Sequence, residues 1–324
     1  MKPAFTTMYI EEISDHFQYI KRLGKGTFGK VLLVQDKATG NPVAMKLMKK
    51  DKIQLQAFLK ELSYSIFLSN HPGIIATHPI FIDTLNNYIM TQELATAGTL
   101  HQLIEHEVGI PEIMAKRCAA QVARALDYMH SRRLVHRDLK PDNVLLMDKE
   151  CHSVKLCDFG LSRPIGSIVT SLSHIIPSLC PDQCAMKSDE YLVVTTSIDS
   201  WAFAVLIYVA LMGDYPWEGA VEEDEMYQAF HSWQKSGNDI SPPARWKKLT
   251  KEALNMLNKL LSEDPNSRYS VLSVSHCIRY AWRIEEFSEE EMTEEENTED
   301  ESTEEEDEGM EESDLFTMQA QEST

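Results

Sequence analysis

Apolar and polar residues alternate along the first third of the chain, and longer helical patterns follow. Alternation is typical of β-strands, and it recurs at residues 17–23, 31–35, 43–48 and 87–94. Helical spacing of apolar residues recurs at residues 55–68, 99–107 and 111–130. The uncharged run 201–212 is too short to cross a membrane and predicts a buried core helix. This order of elements predicts an α+β protein.

Three glycines lie between the first two predicted strands. Gly24, Gly26 and Gly29 form a G-x-G-x-x-G pattern, which Phe28 and Val31 extend. Such a hairpin lets backbone N–H groups approach a phosphate, although an ordinary glycine hairpin fits the pattern as well. A dinucleotide-binding fold would begin a helix after the glycines, whereas this chain continues into a strand.

Lys46 lies in the middle of an apolar predicted strand, within the run V-A-M-K. An ammonium group in such a strand is costly unless it is paired. Glu61, on the helical stretch that follows, is the candidate partner. A solvated Lys–Glu pair is the alternative, and the apolar neighbours of Lys46 argue against it.

The polar loop after the helical stretch 111–130 carries the strongest chemical signal. It reads H-R-D-L-K-P-D-N from His136 to Asn143, and Asp158-Phe159-Gly160 follows further on. A carboxylate, an ammonium and an amide held this close can accept a hydroxyl proton, neutralise a phosphate and bind a metal ion. The loop therefore points to phosphoryl transfer.

In this order the motifs resemble those of serine/threonine-type protein kinases over about residues 15–283. The resemblance implies a two-lobed fold with a small β-rich N-lobe (15–92), a hinge (93–98) and a large, mainly helical C-lobe (99–283). It also implies transfer of the ATP γ-phosphate to Ser/Thr hydroxyls of protein substrates, with Mg²⁺. Residues 197–207 and 213–220 are most similar to the SH3-binding-domain (SBK) kinases, although the chain has no P-x-x-P cluster.

The resemblance also assigns roles to particular residues. Asp138 would accept the hydroxyl proton, Lys140 would neutralise the transferring phosphate, and Asn143 and Asp158 would bind Mg²⁺. Asp199 would brace the catalytic loop, and Gln92 would lie at the back of the adenine pocket. The residues expected to bind ATP are Leu23, Gly24, Lys25, Gly26, Thr27, Phe28, Gly29, Lys30, Val31, Ala44, Lys46, Glu61, Gln92, Glu93 and Leu94.

Two positions depart from the family pattern near the end of the activation segment (158–182). Cys180-Pro181-Asp182 replaces the usual Ala-Pro-Glu, so an ion pair with Arg268 would rely on a side chain one methylene shorter. Ile175 replaces a hydroxyl residue that usually contacts the catalytic Asp and Lys, a change expected to lower activity or relax substrate alignment without abolishing nucleotide binding. An ATP-binding pseudokinase or scaffold is therefore the alternative function, and a small-molecule kinase is a third.

The activation segment is also rich in hydroxyl groups, on Ser162, Ser167, Thr170, Ser171 and Ser173. Arg137, beside Asp138, could bind a phosphate placed on one of them and so order the segment. A flexible loop, with Arg137 in a local ion pair, explains the same residues. The two interpretations stay open at this point.

The formal net charge of −20 belongs entirely to the C-terminal end of the chain. Residues 285–324 contain 20 Asp and Glu but no Lys or Arg, whereas the remainder contains 31 acidic and 31 basic residues. Residues 284–324 are therefore predicted to form a disordered acidic tail. It would be a solubilising extension or, alternatively, an autoinhibitory or partner-binding segment. Because no basic surface is indicated, nucleic acid is not an expected partner.

Residues 1–14 form a lead-in without the apolar segment of a signal peptide. No run of about 18 apolar residues predicts a transmembrane helix. The six cysteines contain no C-x-x-C pair, which favours free thiols in a reducing compartment. We therefore expect a cytoplasmic protein, with the nucleus as a second compartment, that has no membrane partner. No oligomer is indicated.

Overall fold

A computed structural model describes residues 5–26, 29–171, 174–187, 189–237 and 240–284 of the 324-residue chain. Thr27 and Phe28 of the glycine hairpin lie outside these residues. The predicted acidic tail also lies outside them from residue 285 onward. The described residues form one compact unit.

The N-terminal part is a six-stranded sheet with two helices. Its strands are β1 (Thr6–Tyr9), β2 (Phe17–Lys25), β3 (Gly29–Asp36), β4 (Pro42–Lys49), β5 (Thr77–Asp83) and β6 (Asn87–Gln92). Its helices are α1 (Ile13–His16) and α2 (Leu55–Leu68). The strand order is β1-β5-β6-β4-β3-β2, and β1–β5 is the parallel pair. Strands β1 and β5 have no clear alternation in the sequence, and pairing in the sheet defines them.

Both faces of this sheet are covered, which explains the apolar content of its central strands. On one face, Phe58 and Leu62 of α2 pack against Phe81 and Met90. The other face holds a second buried cluster formed by the residues Ile10, Leu32, Val34, Val43, Met45, Leu47, Ile82 and Ile89. Residues of the N-terminal lead-in therefore form part of the core of this lobe.

The C-terminal part is mainly helical. Its helices are α3 (Leu100–Leu103), α4 (Glu112–Ser131), α5 (Pro181–Cys184), α6 (Ser197–Met212), α7 (Glu225–Lys235) and α8 (Lys251–Leu260). Short strands are β7 (Leu134–Val135), β8 (Val144–Leu146), β9 (Val154–Leu156), β10 (Arg163–Pro164), β11 (Ile168–Thr170) and β12 (Tyr191–Val193). Three 3₁₀ segments are Pro141–Asn143, Ala244–Lys248 and Val271–His276. The predicted α+β architecture is thus confirmed.

The prediction of a helix over residues 99–107 is wrong beyond its first turn. Thr99 and Gln102 form a capping box that begins α3, but the backbone is extended at Ile104. The chain then turns through Glu107 and Gly109, which have φ values of 61° and 85°. A Cβ on Gly109 would lie 2.5 Å from the Leu211 carbonyl oxygen. Close packing on α6 therefore ends the helix, and sequence spacing does not reveal that contact.

Helix α6 is the centre of the large lobe, as its uncharged sequence predicts. It is buried from Ser197 to Leu211, so it has no solvent-exposed face. An aromatic cluster packs beside it, with Trp217 and Trp246 in stacked contact and Trp201 adjacent to Trp217. None of the helices in the described ranges is long and apolar enough to cross a membrane.

Candidate active site

A buried carboxylate positions the polar loop. Asp199, on the fully buried first turn of α6, accepts hydrogen bonds from the backbone N–H groups of His136 and Arg137 at 2.8 and 2.9 Å. His130 Nε2 lies 2.8 Å from the same carboxylate. Burial works against ionisation, but the His130 contact and these N–H groups outweigh it, and the pKa of Asp199 lies below its usual value. Asp199 therefore braces the loop, in the place that the resemblance implies.

Asp138, Lys140 and Asn143 converge over one turn of chain. Lys140 Nζ lies 2.9 and 3.0 Å from the two carboxylate oxygens of Asp138. Asn143 Nδ2 donates to the backbone carbonyl of Asp138 at 2.7 Å and to its Oδ2 at 2.8 Å. The 3₁₀ segment that begins at Pro141 turns Asn143 back toward Asp138. The carboxylate, the ammonium and the amide thus share one small site.

The second group of charged residues joins the two lobes. Lys46 Nζ lies 2.6 Å from Glu61 Oε1 and 3.2 Å from Asp158 Oδ2. Lys46 comes from β4, Glu61 from α2, and Asp158 from the loop after β9. The structure therefore brings Lys46 and its sequence-predicted partner together, and adds Asp158 to the same ammonium group.

The electrostatics of this group keep Lys46 and Asp158 charged. Burial alone would lower the pKa of Lys46, but Glu61 and Asp158 raise it above its usual range. Burial works against ionisation of Asp158, yet the ion pair with Lys46 holds the pKa of Asp158 below its usual value. For Glu61 burial is the largest influence and raises the pKa, with Lys46 acting against it.

The donor set near Asp158 fits Mg²⁺. Both Nδ2 hydrogen bonds of Asn143 go to Asp138, so its Oδ1 is the end left for a cation. The Asp158 side chain is 42% exposed and offers carboxylate oxygens. A carboxylate and an amide oxygen are ligands that Mg²⁺ prefers, with phosphate oxygens and water completing its shell.

Two segments could hold the nucleotide itself. In the glycine hairpin, the Gly26 N–H donates to the Gly29 carbonyl at 2.9 Å, and no atom lies within 4 Å of a Cβ built on Gly24 or Gly26. Gly29 is needed for a different reason, since a Cβ there would collide with the Leu47 carbonyl of β4. The hairpin therefore has open space beside its backbone, where a phosphate could approach.

After β6, the chain presents free backbone groups. Within the described residues, the Glu93 carbonyl and the Leu94 N–H form no hydrogen bond. The two groups belong to one trans peptide and point in opposite directions, so the free Glu93 carbonyl is the one that could accept a hydrogen bond from the amino group of an adenine ring. Ala44 of β4 is opposite Gln92 in the sheet. Of the other residues expected at ATP, Leu23, Lys25 and Lys30 are exposed and Val31 is half-buried.

Sequence reasoning missed a contact that holds this segment. The Glu93 carboxylate accepts from the Ala76 N–H and from Lys155 Nζ, both at 2.6 Å. The Glu93 N–H donates to the Ala76 carbonyl at 2.9 Å. Lys155, on β9, is 62 residues from Glu93 and belongs to no motif, so the sequence carries no signal for the pair.

The end of the activation segment is anchored although its sequence departs from the family pattern. Arg268 Nη2 donates to Asp182 Oδ2 at 2.7 Å, so the shorter carboxylate does close the ion pair. Ile175 is 51% exposed and its Cγ2 lies against Gly219. That Ile175 takes the place of a hydroxyl residue that contacts Asp138 and Lys140 stays a prediction from the resemblance.

Three cationic side chains also cluster beside the loop, those of Lys60, Arg137 and Arg163. The sequence alone pointed only to Arg137. Arg137 is buried and donates to the Leu161 carbonyl at 3.1 Å. Burial and the nearby Arg163 lower the pKa of Arg137. Burial, Arg163 and Arg137 likewise lower the pKa of Lys60 on α2. An anion bound at this cluster would relieve the mutual repulsion of the three cations. The local hydrogen-bond partner of Arg137 is a carbonyl oxygen and not the carboxylate of an ion pair.

The family follows from this geometry and from comparison with known proteins. The sequence model of the protein kinase domain family matches residues 17–282, and the chain belongs to the protein kinase family.

Its relatives include serine/threonine-protein kinases SBK1 and SBK2, which confirms the resemblance seen in the motifs. It is 42% identical to SBK1 of Danio rerio over 274 residues, 85% of this chain and 71% of that protein. It is 42% identical to SBK1 of Mus musculus over 262 residues, 81% of this chain and 63% of that protein. SBK2 of Rattus norvegicus is 38% identical over 286 residues, 88% of this chain and 79% of that protein. The chain therefore spans less than two thirds of the mouse SBK1.

Proposed function

We propose that this chain is an active protein serine/threonine kinase that transfers the γ-phosphate of Mg·ATP to hydroxyl groups of protein substrates. The observation that carries the proposal is the convergence of Asp138, Lys140 and Asn143 at 2.7–3.0 Å. The Lys46–Glu61–Asp158 group supplies the charges that phosphoryl transfer needs across the cleft.

Asp138 is the base. Its carboxylate would accept the proton of the substrate hydroxyl group as the oxygen attacks phosphorus, a role that contributes on the order of 10²–10⁴-fold. Lys140, now 2.9 Å from Asp138 Oδ1, would turn to an oxygen of the transferring phosphate and neutralise its charge.

Lys46 and the backbone of Gly24–Gly29 would position the nucleotide phosphates, while the Glu93 carbonyl would accept a hydrogen bond from the amino group of the adenine. Asp158 and Asn143 would hold Mg²⁺, which supplies charge neutralisation at the phosphates when bound. Most of the rate enhancement is expected from this positioning and charge neutralisation. Lys140, two residues after Asp138, favours serine and threonine substrates over tyrosine.

A nucleotide-binding pseudokinase or scaffold is the second candidate, and Ile175 is the observation that favours it. Without a hydroxyl group at this position, the Asp138 carboxylate bonds only to Lys140 and Asn143 among the described side chains. The residues that would contact nucleotide and metal are nevertheless all of the required chemical type, which supports the active kinase instead.

The deciding experiment measures transfer of ³²P from Mg·ATP to a serine/threonine peptide library by the full chain. The Asp138→Asn protein serves as the comparison, since it keeps the shape of the loop and loses the base. We expect the Asp138→Asn protein to incorporate about 10²-fold less phosphate than the wild type, or less still. If neither protein incorporates phosphate while ATP raises the melting temperature of both, the scaffold function replaces the kinase function.

A further inference from the structure

Three side chains that could bind a metal ion meet at the C-terminal end of α6, and none of them belongs to the expected Mg²⁺ site. They are His106, Glu107 and Asp214, and each brings one ligand atom to within 4.8 Å of the other two. His106 Nδ1 lies 2.6 Å from Asp214 Oδ1. Among the described residues, no other group of three has this property.

The backbone holds the three residues together. Gly213 ends α6 with a φ of 80°, and a Cβ built on it would lie 2.6 Å from the Glu107 nitrogen. Glu107 itself has a φ of 61°, in the turn that precedes α4. Since Asp214 directly follows Gly213, this close packing places His106 and Glu107 beside it.

The charges at this place favour a cation. The C-terminal end of a helix carries partial negative charge, and α6 has 16 residues. Glu107 and Asp214 add two carboxylates. Arg245 Nη2 lies 2.9 Å from Asp214 Oδ2 and 3.7 Å from Glu107 Oε1. Arg245 therefore holds one oxygen of Asp214 and leaves the other facing His106, as an outer partner does when it orients a metal ligand.

A buried hydroxyl group without a partner provides a second, independent observation. Tyr208, on α6, is 0% exposed, and its hydroxyl group forms no hydrogen bond among the described residues. Burial raises the pKa of Tyr208, and the charged groups that act on it are Arg245 and Asp214. The hydroxyl group therefore faces this pair. A buried hydroxyl group is costly without a partner, and a water molecule bound to an ion at Asp214 would supply one.

The ligand atoms identify the class of ion. One imidazole nitrogen and two carboxylate oxygens suit Zn²⁺, whereas Mg²⁺ takes oxygen ligands. Tetrahedral Zn²⁺ with bonds of about 2.0–2.2 Å places its ligand atoms about 3.4 Å apart. The present contact of His106 with Asp214 is shorter, and the group as a whole is wider. The side chains of His106 and Glu107 are 79% and 69% exposed, so they are free to rotate by the small amount required.

We infer that His106, Glu107 and Asp214 form a binding site for Zn²⁺ at the C-terminal end of α6, with a water molecule as the fourth ligand. The ion would join the turn before α4 to the end of α6. The inference does not depend on the proposed function, because it involves neither nucleotide nor phosphoryl transfer.

The test is isothermal titration of the full chain with Zn²⁺ in a nucleotide-free buffer that contains excess Mg²⁺. The Mg²⁺ occupies sites made of carboxylates alone, including those that the acidic residues 285–324 supply. We expect one Zn²⁺ to bind per chain under these conditions. At a free Zn²⁺ concentration of about 100 times the Kd, the melting temperature should rise by about 5–10 °C.

Two variants and one control isolate the three ligands. His106→Ala removes the imidazole, and Glu107→Gln removes one carboxylate charge. Each should weaken Zn²⁺ binding about tenfold or more, because even the loss of an outer partner of a metal ligand costs about 10–100-fold. His152→Ala is the matched control, since His152 Nδ1 lies 3.2 Å from Asp148 Oδ1 in an exposed pair without a third ligand among the described residues. Its Kd for Zn²⁺ should equal that of the wild type.

The remaining outcomes overturn the inference. If the wild type binds no Zn²⁺ in excess Mg²⁺, the three side chains and Arg245 are an ion-pair cluster only. An unchanged Kd in His106→Ala or in Glu107→Gln would place the bound ion elsewhere. An equal loss of affinity in His152→Ala would show that exposed histidines bind Zn²⁺ without a defined site. None of these results bears on kinase activity, so the proposed function is judged separately.

Discussion

Replacing Asp182 with Asn tests whether the altered end of the activation segment still anchors it. The Arg268 side chain is fully buried and lies over the Trp201 ring, with its Cζ 5.1 Å from the centroid. Its guanidinium donates to Asp182 and to the carbonyl oxygens of Ser262 and Glu263. Asp182→Asn keeps the shape of the side chain and removes the carboxylate charge from Arg268.

The magnitude follows from the burial of the pair. Removing one partner of a fully buried ion pair costs about 3–5 kcal/mol, because the other charge remains buried. The Asp182 side chain is 28% exposed, so water can partly replace it, and two carbonyl oxygens still bind Arg268. We therefore expect a loss of about 2 kcal/mol. At about 2–4 °C per kcal/mol for a domain of this size class, the melting temperature should fall by about 4–8 °C.

The assay is thermal unfolding followed by circular dichroism. Asp189→Asn is the matched control, since Asp189 is exposed in the following loop and forms no hydrogen bond or ion pair in the described part of the chain; it should melt like the wild type. Asp182→Glu should be at least as stable as the wild type, because the longer side chain can reach Arg268 Nη1, which is buried without a partner among the described residues. A melting temperature for Asp182→Asn within about 1 °C of the control would refute the anchoring role.

Three further predictions concern the loop, the hinge and the activation segment. The folded state lowers the pKa of Asp199, so the ionised carboxylate stabilises the fold above the usual pKa of 3.8, and this stabilisation is lost as the pH falls below that value. The free energy of unfolding in urea should therefore change less between pH 5 and 3 for Asp199→Asn than for the wild type. Lys155→Met should raise the KM for ATP about three- to tenfold with little change in kcat, because Glu93 loses one of the contacts that hold the adenine-binding backbone. Ile175→Thr should raise kcat/KM for a peptide about fivefold, because it restores the hydroxyl group that the family pattern has at this position.

Each of these has a measurement that would contradict it. An equal pH slope in wild type and Asp199→Asn would mean that other carboxylates dominate the acid response. A KM for ATP that rises as much in Lys149→Met, an exposed lysine in the turn between β8 and β9, would make the Lys155 effect nonspecific. A kcat/KM that falls in Ile175→Thr would show that the contact of Ile175 with Gly219 matters more than the missing hydroxyl group.

The sequence alone determined the elements and the chemistry that depend on short spacing. Asp138, Lys140 and Asn143 lie within six residues, so one turn of backbone brings them together wherever the loop is placed. The alternation of β3 and β4 and the fully apolar α6 likewise follow from local patterns, since a covered sheet and a buried helix require them. Even the Lys46–Glu61 pair could be inferred, because a buried ammonium group requires a partner and α2 carries a glutamate on its buried face.

Only the tertiary structure decided the contacts between residues that are distant in sequence. Asp182 reaches Arg268 across 86 residues, and Glu93 meets Lys155 across 62. The cluster of Lys60, Arg137 and Arg163 and the early end of α3 also depend on how separate elements pack. Hydrophobic periodicity reports which face of an element is buried, but not which side chain of another element faces it. Whether a carboxylate one methylene shorter still closes an ion pair depends on backbone positions within a fraction of an ångström, and no sequence pattern encodes those.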